Sequence, residues 1–126
     1  MAEHYEHTLE NLEIFQIELK ISDLAWEIYK RLPKNFQSHI GNQFLDAADS
    51  IGANISEGYG RFHFRESINF NNYARGSATE TSFWNQRLHQ RNLITEMEFT
   101  DLDQLLKTEI TKINAYNNYL RKKANA

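Results

Sequence analysis

Cysteine is absent from this chain of 126 residues. That excludes a disulfide framework, a thiolate metal site and a cysteine nucleophile, and it fits a reducing compartment. A single proline and five glycines leave few places where a helix must break. No apolar run approaches the roughly 20 residues of a membrane span. The opening stretch, Met1 to Glu10, is acidic and polar, unlike a secretory signal. The expectation is a cytoplasmic protein. Strand signals are missing too, with neither period-two alternation nor an Asn-Gly or Asp-Gly hairpin turn.

Chemistry-bearing motifs are equally scarce. Carboxylate-bridged metal sites of helical bundles need Glu-x-x-His on two helices. The residues three places before His7, His39, His63 and His89 are His4, Phe36, Gly60 and Gln86, and none is a glutamate. His4 and His7 share a helical face only within the acidic start, and no metal is assigned to them. No Gly-x-Ser-x-Gly elbow occurs. Gly58-Tyr59-Gly60 lacks both the Gly-Lys-Ser/Thr ending and the preceding strand of a phosphate loop, so it reads as a helix stop. The sequence therefore predicts no catalytic residues, no metal, no cofactor and no small-molecule substrate.

What is present is helical periodicity over one domain's length. Hydrophobic residues make up 40% and charged residues 25% of the chain, a folding composition. Ile17, Ile21, Leu24 and Ile28 keep the spacing of one buried stripe, and Pro33 ends it. The spacing predicts helices over residues 9–32, 38–58, 64–90 and 100–122, with Asn35 or Ser38 capping the second. Phe44, Ala48, Ile51 and Ile55 mark the inner face of the second helix. Phe70, Ala74, Ser77, Thr81, Trp84 and Leu88 mark the third, and Leu102, Leu106, Ile110, Ile113 and Leu120 the fourth. Arg121-Lys122-Lys123 suits a helix C-terminus. Short connections make this an all-α, antiparallel up-down-up-down four-helix bundle.

Charge is distributed unevenly behind a formal net of −3. Residues 1–57 carry 10 acids and 4 bases, and residues 92–126 balance at 5 and 5. Residues 58–91 hold two acids, Glu66 and Glu80, against five arginines: Arg61, Arg65, Arg75, Arg87 and Arg91. Arginine's planar fork suits carboxylates and phosphates alike. These five are candidate nucleic-acid contacts, or else partners for the acidic first half within the chain or between subunits. Small residues form two ridges, Ala48-Gly52-Ser56 and Ala74-Ala78-Ser82 with Gly76 beside it. A mid-helix glycine costs about 1 kcal/mol, so Gly52 and Gly76 are expected to allow close backbone approach. Sixteen aromatics exceed the needs of a small core and point to self-association. Ser50, Asn54 and Glu57 share a face, as do Ser77 and Glu80. Since Ser and Asn are mediocre within helices, both sets are read as a structural polar motif, with Arg61 neutralising Glu57.

Ser50-Ile51-x-Ala53-Asn54-Ile55-x-Glu57-Gly58-x-Gly60-Arg61, followed by Tyr73-Ala74-x-Gly76-Ser77-Ala78-x-Glu80-Thr81, resembles the four-helix-bundle proteins of the 23S rRNA intervening-sequence (S23) family. Leu32-Pro33 and Gln43 extend the resemblance over nearly the whole chain. The resemblance implies a bacterial protein in a ring-like homopentamer, whose gene history is tied to insertions in 23S rRNA genes. Relatives include accessory proteins of diversity-generating retroelements, which bind nucleic acid and a reverse transcriptase. No catalytic residues belong to the family. Asp46 stands where members often carry an arginine. The function expected is a non-enzymatic homo-oligomer associated with rRNA or another nucleic acid, or a protein-interaction scaffold without such binding.

Overall fold

The computed structural model describes residues 8–126, and His4 and His7 lie outside them. Four long helices carry the fold: α1 (Glu13–Arg31), α2 (Asn42–Tyr59), α3 (Phe64–Gln90) and α4 (Glu96–Ala124). No strand occurs among the described residues, and none of the helices is long and apolar enough to cross a membrane.

Residues 9–12, expected to be helical, form instead a 3-10 turn over Leu9–Asn11 and an extended Leu12. Leu12 and Leu32, buried at the two ends of α1, frame the stripe Ile14, Ile21, Ala25 and Ile28. Beyond Pro33 the chain turns helical at once, as Lys34–Phe36 and then a π-helical turn, Gln37–Gly41, before α2. Neither Asn35 nor Ser38 therefore starts a helix; the helical turn begins at Lys34, with Pro33 at its N-cap. Gln37 Nε2 donates to the Tyr29 carbonyl at 2.9 Å, tying the π turn to the end of α1. Buried Gly41 sits so close that an added Cβ would stand 3.1 Å from Leu32 Cδ1.

α3 occupies the expected span, and the turn after it passes through Asn92, whose φ of 59° asparagine tolerates better than most residues. α4 starts at Glu96, earlier than expected, because Thr95 closes a capping box. Thr95 Oγ1 accepts from the Glu98 N–H at 3.1 Å, and Glu98 Oε1 accepts from the Thr95 N–H at 2.9 Å. Contacts of Arg65 with Asn125, Asn71 with Asn117, Arg75 with Asn114 and Asn85 with Phe99 run in opposite order along α3 and α4.

The core is apolar at its centre, with Phe44, Ile51, Ala74, Ala78, Leu102, Leu106 and Ile113 fully buried. It also holds polar groups that periodicity missed. Asn71 Nδ2 donates to Asn117 Oδ1 at 3.0 Å, and Asn117 Nδ2 to Asn72 Oδ1 at 3.1 Å. Ser67 Oγ donates to the Gly58 carbonyl at 2.7 Å, sealing the end of α2 against α3.

Candidate functional site

The five arginines do not form one patch. Arg65 and Arg91 stand at opposite ends of α3, about 40 Å apart at 1.5 Å per residue. Arg61 lies in the turn before the helix and is held by acids: Glu57 at 2.9 Å and Glu66 at 3.8 Å. Its guanidinium also sits 4.6 Å from the Phe70 ring centroid. The other four meet no carboxylate among the described residues. Arg65 Nη2 donates to Asn125 Oδ1 at 3.1 Å, Arg75 Nη1 to Asn114 Oδ1 at 2.6 Å and Arg87 Nη1 to Gln90 Oε1 at 2.7 Å. Arg91 is exposed and makes no such contact among the described residues. Among the described residues, then, only Arg61 of the five pairs with acids, and the other four show no pairing there with the acidic first half.

One basic feature was missed by reading arginines on a single helix. The end of α4 returns beside the start of α3, and a cleft of about 360 Å³ opens there, lined by Arg65, Ile68, Asn69, Arg121, Ala124 and Asn125. Two guanidiniums and two side-chain amides border it, and no acid among the described residues does. Arg121 Nη1 meanwhile donates to Asn118 Oδ1 at 2.8 Å. Amide oxygens are weaker acceptors than phosphate oxygens, so a phosphate could displace them.

The structural polar motif lies on the flanks rather than in the core. Asn54 Nδ2 donates to the Ser50 carbonyl at 2.9 Å, and Glu57 is exposed in its pair with Arg61. Ser77 accepts the Thr81 hydroxyl at its carbonyl, 2.7 Å away, and Glu80 accepts from Trp84 Nε1 at 3.1 Å. These are contacts within a helix. Inter-helix register falls instead to Ser67, Asn71, Asn72 and Asn117. Ile17, Leu24, Phe70, Ser77, Trp84 and Ile110 are only half-buried, flanking the stripe they were expected to form.

Two carboxyls occupy the core itself. Glu18 of α1 is 3% exposed and Glu109 of α4 is 0% exposed. Ser22 Oγ donates to Glu18 Oε1 at 2.7 Å, whereas neither oxygen of Glu109 has a hydrogen-bond partner among the described residues. Burial pushes Glu18 up to about 8, with the Asp49 and Asp23 charges adding to the rise. Burial likewise pushes Glu109 up to about 9, helped by Glu18 and Glu13. Gly52 has its explanation here, since a Cβ on it would stand 2.4 Å from Glu18 Oε2. Its missing side chain makes room for a carboxyl of α1 rather than for the backbone of that helix. The sequence held a signal: in Leu102-Leu106-Glu109-Ile113 a glutamate sits on the core spacing of α4. The close approach expected at Gly76 does not occur among the described residues, none of which lies within 4 Å of its Cβ position. It occurs at Gly58, where a Cβ would be 2.9 Å from Phe70 Cβ. No three His, Asp or Glu side chains converge as metal ligands among the described residues.

Comparison with known proteins agrees with the helical architecture. Residues 10–115 match the family described as 23S rRNA-intervening sequence protein. A crystal structure of a protein with unknown function from the S23 ribosomal protein family of Bacteroides thetaiotaomicron shares the fold, with a TM-score of 0.76 at 24% identity. That likeness covers 82% of this chain and 97% of the other. No curated protein matches. With most of its length inside the matched region, this chain belongs to the 23S rRNA-intervening sequence protein family.

Proposed function

We propose that this chain is a non-enzymatic, homo-oligomeric helical protein that associates with rRNA or another nucleic acid through the arginine-bearing side of α3. The observation that carries the reading is the partner set of those arginines. Among the described residues, four of the five meet side-chain amides or nothing where carboxylates were available elsewhere. The cleft shared by Arg65 and Arg121 adds a site of phosphate-matching chemistry. The opposite-order contacts of α3 and α4 support an antiparallel up-down-up-down arrangement. Exposed Tyr73 and Phe83 on the outer face of α3 support self-association, for which a ring-like homopentamer in the bacterial cytoplasm is the assembly proposed.

Fluorescence anisotropy with a single-stranded rRNA fragment tests this reading. Four neutralised phosphates per chain give a log–log salt slope of about −3. A flat salt response, or no binding at low salt, overturns it. A second reading has a specific observation of its own, the aromatic face of α3 close to Arg75 and Arg87. In that reading the protein is an interaction scaffold whose arginines pair with acids of neighbouring subunits. Arg75→Glu or Arg87→Glu then breaks the oligomer in light scattering, and the wild type shows no RNA affinity.

A further inference from the structure

We propose that Glu18 and Glu109 form a proton-operated latch in the bundle core, which holds α1 against α2 and α4 only while both carboxyls are protonated. The geometry requires the proton. Glu109 is fully buried with both oxygens unpartnered among the described residues, and an ionised carboxylate left so in an apolar interior is too costly for a marginally stable fold. Glu18 lies in the notch left by Gly52 of α2, with the Ser22 hydroxyl as its donor.

The surroundings offer no substitute for a proton. Asp23 of α1 and Asp49 of α2 act on Glu18, and Glu18 and Glu13 of α1 act on Glu109. No titratable group of α3 and no cation acts on either carboxyl. Lys112, the nearby base on α4, is engaged with Glu13 at 3.3 Å. Ionisation therefore places two like charges in one core layer, bordered by further acids. Because the two groups interact, their proton losses belong to the pair.

The sign follows from linkage. Both folded values, about 8 and about 9, lie above the ordinary value of 4.5. The folded state therefore binds more protons than the unfolded chain throughout that interval. The pair's contribution is complete below 4.5, declines as pH rises and is lost by pH 8 to 9. This latch is independent of nucleic-acid binding.

The test is a series of thermal melts from pH 5 to 9 on the full chain, Glu18→Gln, Glu109→Gln and the double variant. The wild-type midpoint falls by roughly 10 °C or more across the range. Each single variant removes part of that fall, and the double variant removes most of it. In infrared spectra the wild type keeps a protonated-carboxyl band at pH 7 that disappears by pH 10. Hydrogen exchange, corrected for intrinsic rates, shows α1 losing protection before α3 as pH rises. The proposal is overturned by a wild-type midpoint that does not fall with pH, or by an equal fall in the double variant. It is overturned equally by absence of the band at pH 7, or by simultaneous loss of protection in all helices. Should the variants fail to fold, the wild-type spectrum and exchange order decide.

Discussion

At the residue scale, two glycines that look alike in sequence have opposite roles. Gly52 faces a confined carboxyl, so Gly52→Ala must displace Glu18 and break its bond from Ser22. We expect a loss of about 1–2 kcal/mol despite alanine's better helix propensity. In a Glu18→Ala background the same substitution becomes neutral or stabilising, and a double-mutant cycle measured by urea denaturation reads the difference. Gly76 has open space around its Cβ position. In the isolated bundle, Gly76→Ala should therefore gain up to about 1 kcal/mol. The spacing of small residues revealed both positions but not what faces each, since that depends on the neighbouring helix. The burial of Glu18, and of Glu109 despite its place on the core spacing, was hidden for a related reason. A polar residue on a helical stripe reads as a flank until the partner helices close over it.

At the scale of elements, helix existence was legible, whereas the starts of α1, α2 and α4 were not. Hydrophobic spacing and the single proline sufficed to separate four helices. The start of α4 turned on Thr95-x-x-Glu98, a capping signature present in the sequence but outranked by the later apolar run. Thr95→Ala should cost about 1 kcal/mol in thermal or chemical unfolding, with the loss confined to the first turn of α4. The start of α2 turned on Pro33 and a π turn seated against α1, a tertiary arrangement that local propensity does not encode. Register between α3 and α4 depends on the asparagine chain. Asn117→Ala leaves Asn71 without its acceptor in a buried site, and a loss of about 1–3 kcal/mol is expected in urea denaturation. Substituting only a half-exposed flank such as Ser50 should change stability by less than about 0.5 kcal/mol.

Across the whole molecule, the all-α class followed from absence of strand signals and from uninterrupted periodicity. The functional surface was less legible, because arginine positions on one helix do not show which acids or amides the fold brings alongside. Folding pairs Arg61 with Glu57 and Glu66, and it brings Arg121 from the other end of the chain to Arg65. It leaves a modestly acidic protein with a locally basic third helix, a distribution suited to directed rather than general polyanion contact. The most direct measurement of that claim is RNA affinity of Arg65→Ala/Arg87→Ala/Arg91→Ala beside the wild type, with molar mass monitored by light scattering. The account predicts unchanged mass, at least about tenfold weaker binding at low salt and a salt slope shallower by about 2. Unchanged affinity and slope in the triple variant, with mass intact, would contradict it.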